Sequence, residues 1–350
     1  MGQSIVQLQM MGDALRSSGY KSIDSALAEI VDNSIEASAA DVFIIMREDA
    51  DPLTGRLGIT EIGILDNGTG MEIDRLASCL GIGYTTKGDR RGMGRFGVGL
   101  PQASMHVTPR VEVYSWTTPI KKDYHVRRVW LDVNMIASGA QEEIEDPDYV
   151  QIPDIFTGYL HYKSDREYDF MQHGTLVYWK NCDNIKPKVL EKLVETLSYN
   201  LGRKFRYMIH DGSHTIKLVS YDHKGGDIDK NIQANDPLFL MEDNVALGNP
   251  DEPEKISYGH QAGFVEPIFE EFGSERYDEA KYPHGKTIVW QTYRDKITGA
   301  EKKAEIQISF SIVKEKFYGP AYIKTGDPGA KPIGKYTKGL LGVSVIRAGR

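Results

Sequence analysis

The sequence predicts an α/β (α+β) protein, on three observations. Leu27, Ile30, Val31 and Ile35 recur at helical spacing in ALAEIVDNSIEASA (26–39). Two short β-branched runs follow, VFIIM (42–46) and ITEIGILD (59–66), and the second ends in the turn-forming NGTG. Residues 81–99 then hold seven glycines before further strand patterns resume.

The first helix is expected over Ala26 to Ala39, with Ser22 or Asp24 as its cap. Between Gly81 and Gly99 the glycines are mixed with Thr85, Thr86, Lys87, Arg90, Arg91 and Arg95, a composition that lets a backbone close over an anion. VEVYSW (111–116), VRRVWLDV (126–133) and TLVYW (175–179) read as strands of one sheet, and the acidic, proline-containing stretch 141–154 as a loop between them. Lys186 to Tyr207 reads as an amphipathic helix with Val189, Leu193, Leu197 and Leu201 on one face, opening a second domain. Strands are expected again at TIKLVSY (215–221), TIVWQTY (287–293) and EIQISFSIV (305–313).

Bulk properties bound the function. A chain of 350 residues with 40% hydrophobic content has length for two packed domains. Its 42 basic and 50 acidic residues give a net charge of −8, without the overall footprint of a nucleic-acid binder. Two cysteines, Cys79 and Cys182, are too few for a disulfide scaffold and lack metal-ligand spacing, which fits a reducing, cytoplasmic setting. No signal peptide and no membrane-spanning stretch is read, so no membrane partner is expected.

Glu29 and Asn33 lie four apart, on one helical face, with Asp32 and Glu36 beside them. A carboxylate there can take a proton from water, and a neutral amide oxygen can ligate Mg²⁺ without adding repulsion to a polyphosphate. A solvated polar face would carry the same four residues. Asp66 ends an apolar strand before Asn67, Gly68, Thr69, Gly70 and Met71, and a buried carboxylate can accept a hydrogen bond from an exocyclic amine such as that of adenine. An Asx-turn or hairpin would use the same letters. Gly92, Gly94 and Gly97 fit GxGxxG, but no strand immediately precedes them, and there is no GxxxxGK[ST] loop.

Order changes what these pieces mean. ExxxN on a helix, a strand ending in DxGxG, a GxGxxGxG loop and a strand opening with Gly174 and Thr175 stand in this sequence between residues 29 and 175. That succession resembles the GHKL ATPase superfamily of gyrase, the heat-shock chaperone ATPases, histidine kinases and MutL. EIVDNSIEA, GRFGVGL and HGTLVYW are similar to the MORC, MutL and chaperone branches. The resemblance implies a Bergerat-type ATP-binding sandwich of a mixed sheet and helices over residues 1–182, then a smaller transducer-like α/β domain over 183–350.

By the same resemblance Glu29 activates the attacking water, Asn33 binds Mg²⁺ and Asp66 recognises adenine, with Gly68, Gly70 and Met71 shaping the base pocket. Gly94, Gly97, Val98 and Gly99 offer backbone N–H groups to the phosphates, Lys87 adds charge, and Thr175 matches the family's threonine near the adenine. Lys335 and Lys338 are candidates for a second-domain lysine that reaches the γ-phosphate. The implied activity is a Mg²⁺-dependent ATPase that closes a lid, forms an ATP-dependent homodimer through its N-terminal region and acts on a protein or DNA partner. A nucleotide-dependent binding module with little turnover is the alternative, and a protein histidine kinase fits less well, since no phosphoacceptor helix precedes Glu29. The chain stops at Arg350 straight after the strand-like GVSVIRAG, so a longer protein is expected whose further part selects the target.

Overall fold

The computed structural model describes residue 16 and residues 20–50, 54–81, 99–162, 169–221, 228–259, 263–271, 286–296 and 298–317. Two compact units divide the chain, one formed by Met1–Lys204 with Asp211–Ile232 and one by Phe205–His210 with Gln233–Arg350.

The first unit is built on an eight-stranded mixed sheet in the order β5-β4-β3-β6-β2-β1-β7-β8. Its strands are β1 Asp41–Ala50, β2 Leu57–Asp66, β3 Arg110–Trp116, β4 His125–Asp132, β5 Asp148–Gln151, β6 Gly174–Lys180, β7 Thr215–Tyr221 and β8 Ile228–Asn231. Pairing is antiparallel except between β1 and β7, which run parallel from Asp41↔Thr215 onward. Helices of this unit are α1 Ile23–Glu36, α2 Ile73–Ser78, α3 Gly99–Val107, α4 Val133–Ser138, α5 Asp154–Leu160 and α6 Leu190–Lys204.

Alternation across the pleat sends successive side chains to opposite faces, and both faces are covered. On one, Phe43, Ile45, Leu65, Tyr114, Leu176, Tyr178 and Val219 pack with Phe156 and Leu160 of α5. Gly63 opens the seat for that helix, since a Cβ there would stand 2.2 Å from the Phe156 ring. The opposite face meets α1 and α3: Trp179 Nε1 donates to Ser104 Oγ at 2.9 Å, and Ser34 Oγ donates to Asp66. This double burial explains why Val42–Met46 of β1 and Leu176–Trp179 of β6 are continuous apolar runs rather than alternating with polar residues.

Three expectations change. The first helix ends at Glu36, not Ala39, because Ser38 takes a left-handed backbone (φ 63°) that turns the chain into β1. The stretch 141–154 contains a strand, β5, paired with β4 at the sheet edge. The first unit includes α6, β7 and β8, which lie beyond the expected boundary at 182/183: Asn200 Nδ2 of α6 donates to Asp24 Oδ2 of α1 (3.0 Å), β7 and β8 complete the sheet, and Phe205–His210 group with the second unit.

The second unit holds the short helix α7 Arg206–His210 and strands β9 Ala246–Asn249, β10 Glu252–Tyr258, β11 Glu266–Pro267, β12 Phe269–Glu271, β13 Lys286–Arg294, β14 Glu301–Ser309 and β15 Ser311–Val313. The expected strands 287–293 and 305–313 correspond to β13 and to β14 with β15. A small core of Phe239, Ala246, Ile268 and Phe317 joins β9 to its neighbours, and Phe239 stacks on Phe269 at 4.8 Å. Asp236 accepts from the backbone N–H groups of Leu238, Leu240 and Met241, fixing the turn that leads to Phe239 and β9. Among the described residues no helix is long and apolar enough to cross a membrane.

Candidate functional site

The site gathers where β2 and β3 end and β6 begins, beneath α1. Register places Asp66 opposite Thr175, and Thr175 opposite Ser115, so three residues far apart in sequence form one polar row across the sheet. Ser115 Oγ lies 3.1 Å from Thr175 Oγ1 and donates to Gly174 O at 3.0 Å. It also accepts from the Met71 N–H at 2.8 Å, which anchors the segment after the DNGTG turn to β3.

Asp66 is the buried carboxylate of this row, 4% exposed. Ser34 Oγ donates to its Oδ2 at 2.8 Å and the Gly68 N–H to its Oδ1 at 2.9 Å, with a further hydrogen bond from the Thr175 N–H. Burial pushes its carboxyl up to about 6, and these hydrogen bonds with the nearby His173 limit the rise. A carboxylate has about four lone-pair sites, so three internal donors leave it able to accept from about one more.

Glycines let the turn pack closely beside Asp66. A Cβ on Gly68 would meet Ala37 O at 2.9 Å and Asp66 Oδ1 at 3.0 Å. Gly70 has φ +71°, and a Cβ there would lie 2.1 Å from Trp116 O, so both its conformation and its surroundings demand glycine. The turn is stapled by Asn67, whose Oδ1 accepts from the Ala40 and Asp41 N–H groups and whose Nδ2 donates to Asp41 Oδ2. Gly68 O accepts from His173 Nδ1 at 2.6 Å, and Thr69 N–H donates to Ala37 O.

On α1, Glu29 and Asn33 share a half-buried face. Glu29 reaches α3: a Cβ on Gly99 would stand 2.1 Å from Glu29 Oε1. The structure thereby joins the ExxxN helix to the end of the glycine-rich segment. Burial raises the Glu29 carboxyl above its ordinary value, as do the charges of Asp32 and Glu36, while Lys204 and a hydrogen bond from Tyr20 act in the opposite direction. Asp32 is buried and bound by Lys204 Nζ at 2.6 Å, so it is a structural anchor for α6 on this face. Pro101 sits in the first turn of α3, where a missing N–H costs nothing.

Of the residues expected from sequence, Glu29, Asn33, Asp66, Gly68, Gly70, Met71, Gly99 and Thr175 thus fall on α1, on the β2 turn, at the head of α3 and on β6. Lys87, Gly94, Gly97, Val98, Lys335 and Lys338 lie outside the described residues. Sequence reasoning missed Ser34, Ser115, His173, Tyr20 and Lys204. HGT before β6 was the one signal for His173; the others are common polar residues whose role appears only through tertiary contact. Among the described residues no group of three His, Cys, Asp or Glu side chains forms a metal cage, and Mg²⁺ carried by phosphates needs only one or two protein oxygens.

The chain is similar to known proteins over part of its length. Residues 20–164 match the family model described as histidine kinase-, DNA gyrase B-, and HSP90-like ATPase. The chain is 28% identical over 115 residues to Protein MICRORCHIDIA 6 of Arabidopsis thaliana, a match covering 33% of this chain and 17% of that protein. It also aligns with a crystal structure of the N terminal domain of a DNA repair protein at a TM-score of 0.40 and 17% identity, over 71% of this chain and 67% of the other. Over residues 20–164 the chain is similar to the histidine kinase-, DNA gyrase B- and HSP90-like ATPases, which fits the resemblance to GHKL ATPases carried by its motifs.

Proposed function

We propose that this chain binds ATP with Mg²⁺ and hydrolyses it to ADP and phosphate, with Glu29 as general base. The observation that carries the reading is Glu29 resting against Gly99 at the head of α3, on the same face of the sheet as the buried acceptor Asp66. Water attacks the γ-phosphorus, its proton passes to the Glu29 carboxylate, and the bond to the β-phosphate oxygen breaks to release ADP. A base raised above the ordinary carboxylate range by burial accepts that proton more readily near neutral pH. Asp66 accepts from the adenine amine, with Gly68, Gly70, Met71 and Thr175 around the base. Asn33 would hold Mg²⁺, which supplies charge neutralisation on the phosphates when bound. Gly94, Gly97, Val98 and Gly99 offer backbone N–H groups to the phosphates, and Lys87 adds charge.

In the same reading, ATP closes the glycine-rich segment and pairs two copies of the chain, hydrolysis reopens them, and the work is done on a protein or DNA partner. The family resemblance supports this part. The setting is cytoplasmic. Phosphate release from Mg²⁺-ATP, with light scattering in a non-hydrolysable analogue, tests both parts: absent turnover removes the enzyme, and a mass unchanged by saturating analogue removes the dimer.

A further inference from the structure

His173 stands immediately before β6 and reaches back to the turn after β2, where its Nδ1 lies 2.6 Å from Gly68 O. A carbonyl only accepts, so Nδ1 carries the hydrogen and donates. The same peptide is held at its other end, where the Thr69 N–H donates to Ala37 O at 2.9 Å. The Gly68–Thr69 peptide thus bridges the end of α1 and the start of β6, its plane fixed from both sides. Its chain neighbours do not fix it. Gly68 and Gly70 flank Thr69, and glycine offers little resistance to rotation of an adjoining peptide. The segment that carries His173 is itself anchored: Trp116 Nε1 donates to Phe170 O at 3.0 Å, the Ile120 N–H donates to Met171 O at 2.8 Å, and Phe170 is fully buried against Phe43.

We infer that His173 is a positioning residue for adenine recognition: by holding the Gly68–Thr69 peptide, it keeps the turn in the conformation in which Asp66 meets the exocyclic amine. The inference rests on Asp66 being the adenine acceptor. The link between the two is short. The Gly68 N–H donates to Asp66 Oδ1 at 2.9 Å, so a rotation of the turn about Gly68 releases one of the donors that orient the carboxylate. Ser34 Oγ still holds Oδ2 at 2.8 Å, so loss of His173 loosens the acceptor without removing it.

Base selectivity reads this role, because inosine diphosphate carries a carbonyl where adenosine diphosphate carries the amine, and so turns an acceptor toward Asp66. In calorimetry with Mg²⁺, the full chain is expected to bind adenosine diphosphate at least about tenfold more tightly than inosine diphosphate. His173→Phe keeps an aromatic ring and loses the donor. The ratio should then fall about 3- to 10-fold, the scale of one hydrogen bond, through weaker adenosine diphosphate binding, with kcat at saturating ATP close to the parent. His173→Asn keeps a side-chain N–H near the place of Nδ1 without the ring, and should hold the ratio near the parental one. A parental ratio in folded His173→Phe overturns the proposal, and so does equal weakening of both nucleotides, which is what a merely structural histidine would give. An equal loss of selectivity in His173→Asn also overturns it, because the packing of the ring would then act and not its donor. If the parent binds both nucleotides alike, the adenine reading of Asp66 fails and this proposal with it, an outcome distinct from a selectivity that survives in His173→Phe.

Discussion

Glu29 Oε1 and the α-carbon of Gly99 are in contact, close enough that a Cβ on Gly99 would stand 2.1 Å from that oxygen. Two segments separated by the whole of β1, β2 and the glycine-rich stretch meet at a single carboxylate. The glycine is required by its neighbour, since its own backbone is ordinary helix.

Gly99→Ala should accordingly separate folding from turnover. The atom in the way is the end of a flexible side chain, and alanine gains up to about 1 kcal/mol of helix propensity, so melting should change little. Glu29 must swing aside, and turnover should fall about tenfold or more. Parental turnover in a folded Gly99→Ala protein would contradict the contact.

Asp66 gives a pH signature. Burial raises its carboxyl from an ordinary 3.8 to about 6 in the fold. A raised acid favours the fold when protonated: its contribution is complete below the ordinary value and is lost as pH rises through the folded one. Adenine binding runs the other way, because the amine needs a carboxylate acceptor. From about pH 7.5 to about pH 5.5 this group alone should weaken ATP binding about fourfold, and Asp66→Asn should remove that component while leaving the titration of the nucleotide itself. Calorimetry at both pH values on both proteins checks this; equal slopes would show that Asp66 is not the adenine contact.

Gly70→Ala should damage the fold itself. The left-handed backbone costs a non-glycine residue of order 1–3 kcal/mol, and the obstructing atom, Trp116 O, is main chain that cannot rotate away. Urea unfolding should show a loss of at least about 2 kcal/mol. A loss under about 0.5 kcal/mol would mean that the turn relaxes.

Much of this site was legible because its chemistry is local. Four-residue spacing puts Glu29 and Asn33 on one face of a helix, and a strand-end aspartate followed by glycines marks the DNGTG turn. The row Asp66, Thr175 and Ser115 was not legible, since adjacency there comes from the strand order β3-β6-β2. Lys204 was read into a second domain because amphipathic periodicity shows that α6 has an apolar face, not which partner it meets; the ion pair with Asp32 returns it to α1. Ala39 extends the helical apolar pattern of α1, yet the helix stops earlier because Ala37 O is taken by the Thr69 N–H and Ser38 turns left-handed. β5 has only four residues and one strand partner, too little for a pattern in an acidic stretch.

The most direct test of the central claim is the rate of phosphate release by Glu29→Ala, measured on protein whose ATP binding is confirmed in the same preparation. Turnover should fall about 10²–10⁴-fold with ATP affinity retained, the loss typical of a positioned base. Asn33→Ala serves as the contrast: Mg²⁺-dependent ATP binding itself should weaken, and excess Mg²⁺ should partly restore it. Hydrolysis by Glu29→Ala at the parental rate would contradict the account and move the search for the base to another group on the same helical face.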